Sequence, residues 1–165
     1  MTGQDFERDI VHAFNGYADN YNKKLVAYRH YQMRFQPQLF DVLVDSGLPG
    51  FYMALECKSI DASKDHSIYF TQHFNHARGV HQIERESNWL ELSGRTGFLV
   101  VELRNYEGKR SACFFVPWAY LKGEYCLGRT GLSNDDIASY PSCQKRVGKY
   151  MFDDVFVDYV ISQMG

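Results

Sequence analysis

Positive charge is what this chain of 165 residues has too little of for an obvious binder of polyanions. Its 18 Lys and Arg face 20 Asp and Glu, a formal net charge of −2. Nucleic-acid binders are often basic overall, so whole-molecule electrostatics does not argue for that class, although a local basic groove can sit on an acidic remainder. Cysteine is scarce too. The four present (Cys57, Cys113, Cys126, Cys143) have neither the close pairing of a zinc site nor the density of a disulfide scaffold. Cys57 and Cys113 lie in apolar runs and read as small buried hydrophobes. No apolar run approaches a membrane span, and Met1-Thr2-Gly3-Gln4-Asp5 lacks the charged start and apolar core of a secretory signal. Repeats, low-complexity tracts and linkers are absent. The expectation is one domain over residues 1–165, soluble, cytoplasmic and reduced, with no membrane contact.

What the chain does have is apolar and aromatic surface. Hydrophobic residues make up 45% and aromatics 16%, with twelve Tyr and twelve Phe. That supports a folded core and leaves aromatics over for an interaction surface. Phe6, Ile10, Phe14 and Tyr17 predict a helix over 5–21, with Asp5 as a possible N-cap. Glu7 in its first turn suits the helix dipole, or serves as an extra carboxylate for a site. Residues 23–36 mix Tyr28, Arg29, Tyr31 and Arg34 with Lys and Gln. This is either a solvated edge or a positive, aromatic surface for phosphates and unstacked bases. Strands are expected at 40–44 and 51–59, joined by the turn residues Asp45–Gly50. A polar loop containing Lys64 follows, then a helix over 72–92 in which Gly79 is a blemish costing about 1 kcal/mol. The spacing of His73, His76 and His81 matches no zinc signature, so they read as surface or satisfied histidines. Phe98–Leu103 predicts a central strand and 112–116 its hairpin partner. A short helix should begin at Pro117, and an amphipathic helix over 152–160 closes the chain.

Phe51-Tyr52-Met53-Ala54-Leu55 runs directly into Glu56-Cys57-Lys58. Residues two apart on a strand project from the same face, so Glu56 and Lys58 point together. Asp41, embedded in apolar sequence where a lone carboxylate is costly, belongs to the expected partner strand. Asp45 competes with it for that role. Two carboxylates and an ammonium at one strand end suit a hard divalent cation. Mg²⁺ takes few protein oxygens and keeps most of its waters. Asp41, Glu56 and the backbone carbonyl of Cys57 are the candidate metal donors, and Lys58 would orient or deprotonate a water or hold a phosphate. Carboxylate-x-lysine alone is short and common, and the bland reading is a surface pair.

The order helix, Asp strand, Glu-x-Lys strand, helix, strand resembles the PD-(D/E)xK nuclease superfamily, and within it the RecU-type Holliday junction resolvases. Gln36-Pro37, Asp41 and Leu55-Glu56-Cys57-Lys58-Ser59 carry the first part of the likeness. Phe74-Asn75-His76, His81-Gln82-Ile83-Glu84 and Gly97-Phe98-Leu99-Val100-Val101 carry the rest, so it spans roughly 36–120. The resemblance implies an α/β, restriction-endonuclease-like fold, a central mixed β-sheet flanked by helices. It implies a homodimeric, Mg²⁺-dependent endonuclease (Mn²⁺ as substitute) that nicks four-way DNA junctions. It assigns metal roles to Asp41 and Glu56, a catalytic role to Lys58 and a supporting one to Gln82, and it matches Glu7 to an N-terminal helix acid. Tyr28, Arg29, Arg34 and Lys64 are the candidate DNA contacts. Cys57 replaces a small Ala, and the loop Asp45–Gly50 is too short for the stalk that family members push into a junction. A restriction- or repair-type nuclease on duplex or flap DNA, and a non-catalytic DNA-binding member of the fold, are the alternatives.

Overall fold

The computed structural model describes residues 3–31 and 33–164; Met1, Thr2, Gln32 and Gly165 lie outside the described residues, and with them part of the expectation about a leader. The elements in order are α1 (Gly3–Tyr21), β1 (Leu25–Arg29), β2 (Val42–Ser46), β3 (Met53–Asp61), β4 (Ser67–Tyr69), β5 (His76–Ala77), β6 (Val80–His81), α2 (Gln82–Ser93) and β7 (Thr96–Arg104). They continue with β8 (Ala112–Pro117), α3 (Trp118–Cys126), β9 (Gly131–Ser133), α4 (Asn134–Ala138), β10 (Ser142–Arg146), β11 (Lys149–Tyr150) and α5 (Asp154–Ser162). Seven strands form one sheet in the order β1-β2-β3-β7-β8-β10-β11. Only β3 and β7 run parallel, over the long register Met53↔Thr96 to Asp61↔Arg104; the other neighbours are antiparallel.

Strand alternation divides the core between the two faces of this sheet. Met53, Leu55 and Cys57 of β3, with Phe98 and Val100 of β7, pack with Phe6, Ile10, Phe14 and Tyr17 of α1 and with Val157 and Val160 of α5. Ala54 and Ile60, with Leu99, Val101 and Leu103, face Ile83 of α2, Trp118 and Leu121 of α3 and Ile137 of α4. The architecture is α/β, a central mixed sheet flanked by helices. The core positions of α1 are those its periodicity predicts, although the helix starts at Gly3, so that Asp5 lies within its first turn.

Other expectations shift. The helix expected over 72–92 begins only at Gln82. The residues ahead of it form a tight hairpin, β5 with β6, whose tip is Arg78 (φ 53) and Gly79 (φ 78). Two successive positive φ values favour glycine, so Gly79 is a turn residue and no blemish. His81 ends the hairpin and caps α2: Nδ1 accepts from Ile83 N–H at 3.1 Å, while Nε2 reaches the Phe70 carbonyl at 2.8 Å. His73 Nδ1 accepts from Tyr69 N–H at 2.8 Å. Both rings are satisfied histidines. The polar-rich stretch 122–150 supplies β10 and β11, tied to the sheet by a buried charge. Glu102, fully buried on β7, accepts from Tyr150 Oη at 2.6 Å and Ser59 Oγ at 2.7 Å, with Lys145 Nζ at 3.7 Å. A buried carboxylate needs such partners.

Asp41 precedes β2 instead of lying inside it. Phe40, just ahead, is fully buried with φ 56, an uncommon conformation for a bulky residue. Its ring centroid lies 5.6 Å from Trp89 and 5.0 Å from Trp118, and packing overrides the local preference. Phe40→Ala is therefore expected to cost about 3–5 kcal/mol in urea unfolding; a loss under about 1 kcal/mol would show that this ring does not hold the turn.

Candidate active site

The site opens where the sheet forks. β2 and β3 pair from Val44↔Met53 to Val42↔Leu55 and no further, whereas β3 and β7 stay paired to Asp61↔Arg104. Asp41 N–H still donates to the Leu55 carbonyl at 2.9 Å. Then the positive φ of Phe40 turns the chain away. The next backbone donor on that edge of β3, Cys57 N–H, is met by the Asp41 carboxylate, with Oδ2 at 2.8 Å. In an extended strand a residue's N–H and C=O point to the same edge, so the Cys57 carbonyl faces the gap that β2 leaves. The other Asp41 oxygen, Oδ1, accepts from Gln38 Nε2 at 3.1 Å.

Glu56 and Lys58 project from β3 toward α2. Lys58 Nζ is 3.2 Å from Glu56 Oε1 and lies 4.9 Å from the Phe74 ring centroid. Gln82, the first residue of α2, donates through Nε2 to Glu56 Oε1 at 3.0 Å and to Glu86 Oε1 at 3.1 Å. Its Oε1 accepts from Asn75 N–H at 3.0 Å, and its own N–H donates to the Asn75 carbonyl at 2.8 Å. Those bonds fix the amide orientation. Glu86, one helical turn on, also accepts from Phe40 N–H at 2.8 Å, so the residue that turns the chain is anchored by the site it shapes. The remaining Glu86 oxygen, Oε2, is buried without a donor among the described residues.

Asp41, Glu56, Lys58 and Gln82 thus stand together. Glu86 and Gln38 join them without having been foreseen. Glu86 was legible in principle, because Gln82 and Glu86 share a helix face at i, i+4 in the expected helix and in the observed one alike. Glu7 reaches the margin. Its Oε2 accepts from Arg29 Nε at 3.0 Å, and its charge adds to the repulsion on Asp41. Asp45 stands apart, held by Arg95 Nη2 at 2.8 Å and Tyr28 Oη at 2.8 Å. Tyr28 and Arg29 therefore have internal partners, whereas Arg34 and Lys64 are exposed on two separate segments. Arg34 lies 5.3 Å from the Phe35 ring centroid.

The electrostatics are those of too much negative charge in too little water. Burial, then the charge of Glu56, pushes Asp41 up to about 8. Burial and the adjacent Glu86 hold Glu56 well above the carboxylate range, and burial raises Glu86 as well. Burial opposes the Lys58 ammonium, yet Glu56 and Asp41 outweigh it and raise its pKa. One ammonium faces three carboxyls. Among the described residues no three His, Cys, Asp or Glu side chains form a ready cage for a metal ion. Mg²⁺ needs only one or two carboxylates beside carbonyls and water, and Asp41, Glu56 and the Cys57 carbonyl meet that need.

No protein-family model and no curated protein matches this sequence. Solved structures do: the fold is restriction-endonuclease-like. It is similar to the structure of Hjc, a Holliday junction resolvase from the archaeal hyperthermophile Archaeoglobus fulgidus, with a TM-score of 0.53 and 16% identity. The match covers 87% of this chain and 93% of that one. At that identity the likeness establishes the fold.

A carboxyl whose pKa is higher folded than unfolded binds more protons in the native state, so its stabilising contribution is lost as pH rises toward the folded value. For Asp41 that window runs from about 4 to about 8. In EDTA, Asp41→Asn should melt higher than the parent chain at pH 8, by several degrees, and the gap should close toward pH 4. A gap that is constant across this range, read by circular dichroism, would contradict the assigned burial of charge.

Proposed function

We propose that this chain is a metal-dependent DNA endonuclease, acting on four-way junctions by phosphodiester hydrolysis. The observation that carries this is the meeting of Asp41, Glu56 and Lys58 at the fork between β2 and β3, with Gln82 bonded to Glu56 at 3.0 Å. Such a reaction needs charge neutralised on the phosphate, an activated water and a stabilised leaving oxygen. A bound Mg²⁺ or Mn²⁺ supplies charge neutralisation and lowers the pKa of water.

The chain's own residues supply position and polarity. Asp41, Glu56 and the Cys57 carbonyl would hold the ion; Cys57 N–H and Gln38 aim Asp41, and Gln82 aims Glu56. Lys58, kept cationic by Glu56 and Asp41, is better suited to hold a phosphate oxygen and orient a water than to act as a neutral base. Glu7 adds a further carboxylate at the edge, its charge offset by Arg29. Tyr28, Arg29, Arg34 and Lys64 are the proposed backbone contacts, and a homodimer would present two sites to opposite strands. That the Archaeoglobus neighbour is a Holliday junction resolvase supports the junction as substrate. The short connection between β2 and β3, only 47–52, leaves no room for an inserted stalk and favours a second reading, a repair- or restriction-type nuclease on flap or duplex DNA. Among the described residues no helix is long and apolar enough to cross a membrane.

Labelled four-way junction, flap, duplex and single-stranded DNA, each with Mg²⁺ or EDTA, distinguish these readings. Paired nicks across the junction, lost by on the order of 10²-fold or more in Lys58→Ala, are the expected result; preference for flap or duplex selects the second reading. Absence of cleavage in every substrate, with DNA binding kept, would leave a non-catalytic binder. Mg²⁺ should also raise the melting temperature of the parent chain at pH 8 and fail to raise that of Asp41→Asn. An equal shift in both would remove Asp41 from the metal site.

A further inference from the structure

Beside the site, on the outer flank of α2, lies a pocket of about 350 Å³ that none of the roles above uses. Its two walls are the segments that carry the site. One is the run Gln36, Pro37 and Leu39 leading into Asp41; the other is the α2 face of Arg85, Asn88 and Trp89, next to Glu86. The volume falls within the usual ~300–1,000 Å³ of small-ligand sites. Pro37, Leu39 and Trp89 make an apolar floor. Trp89 is held in place from behind, its ring centroid 5.8 Å from His30 and 5.6 Å from Phe40.

Three of the four polar side chains around that floor are unengaged among the described residues. Arg78, at the tip of the β5–β6 hairpin, has no ion-pair or hydrogen-bond partner among the described residues, and the same holds for the side-chain amides of Gln36 and Asn88. Arg85 spends Nη1 on the Val80 carbonyl (2.7 Å) and Nη2 on Asn75 Oδ1 (2.6 Å), while its Nε–H is buried without an acceptor among the described residues. Asn75 is the residue whose N–H holds Gln82. A bonded path therefore runs from the pocket wall through Asn75 and Gln82 to Glu56.

An apolar floor, two free amides and a free guanidinium match one ligand chemistry: a flat base with donors and acceptors on its edge, attached to a phosphate. We infer that this pocket receives an unstacked nucleotide of the DNA strand being cut, adjacent to the scissile phosphate. The base lies against Trp89, Leu39 and Pro37, Gln36 and Asn88 meet its edge, and Arg78 meets its phosphate. This rests on the nuclease reading and narrows its substrate class to DNA with an unpaired or splayed base beside the cut. Regular duplex, whose bases remain stacked, would bear an unstacking cost there.

The chain has two tryptophans, and Trp118 is only 3% exposed, so a change in emission on ligand contact reports mainly on Trp89. The titrant is a thymidine hexanucleotide in EDTA, compared with an abasic hexanucleotide and with inorganic phosphate. Saturable quenching by the thymidine oligomer alone is expected, weakened about fivefold or more by Arg78→Ala at ~0.1 M salt and partly restored by Arg78→Lys. Arg78 is exposed at a hairpin tip, so its removal leaves the fold intact. Equal quenching by the abasic oligomer, or no quenching by any titrant, overturns the pocket. So does unchanged affinity in Arg78→Ala. Cleavage is assayed alongside with Mg²⁺: a chain that cuts DNA but shows no base-dependent quenching loses the pocket and keeps the nuclease. One that shows base-dependent quenching but cuts nothing keeps the pocket and loses the nuclease.

Discussion

The contact on which the site depends is the hydrogen bond from Cys57 N–H to the Asp41 carboxylate at 2.8 Å. At that point a β-ladder would ordinarily continue, with a backbone carbonyl of β2 as the acceptor. A side-chain oxygen takes its place. The substitution satisfies the donor that the fork would otherwise leave unpaired, lets β2 and β3 diverge, and faces an acid toward the opening. Phe40 makes the divergence possible. Its left-handed backbone is held by two tryptophan rings and by a hydrogen bond to Glu86, so the turn and the carboxylate cluster support each other.

That cluster is the least comfortable part of the molecule when no cation is bound. Asp41, Glu56 and Glu86 share a poorly solvated space with a single ammonium, and their pKa values rise accordingly. Elsewhere the fold treats buried charge differently. Glu102 on the opposite face of the sheet has Tyr150, Ser59 and Lys145 as partners, and the half-exposed Asp45 has Arg95 and Tyr28. Within one fold, then, some acids are offset by neighbouring donors and cations, while others are crowded against one another. A protein arranged for stability alone would have neutralised both kinds.

Much of this was legible from residue order. The alternation in Phe51–Ser59 foretold that Glu56 and Lys58 share a face, the period of Phe6, Ile10, Phe14 and Tyr17 foretold the packed face of α1, and the acid in the preceding apolar run proved to be the one that meets them. Gly79 shows where such reading stops. Apolar residues at helical spacing extend through 72–92, and nothing local reveals that 76–81 closes into a hairpin, because the decisive contacts, His81 to Phe70 and Asn75 to Gln82, are made through space. Glu86 stood one turn after Gln82 in the expected helix as well, but its place beside Glu56 could not be read there, since it depends on α2 packing over β3, which is a contact through space. Nor could the polar stretch before α5 be read as strands, since β10 joins the sheet by pairing with β8.

By itself, then, the sequence determined which chemistry is possible. Carboxylates and a lysine at period-two spacing lie on one strand face whatever surrounds them, because that geometry is local. Tertiary structure decided which acids take part and in what state. Burial, the end of the β2–β3 ladder and the approach of α2 bring Asp41, Glu56 and Glu86 into mutual repulsion, and repulsion at that range depends on positions in space that no local pattern encodes. The same packing left Arg78, Gln36 and Asn88 without partners among the described residues around Trp89, and that arrangement exists only once the loop before β2 and the flank of α2 have come together.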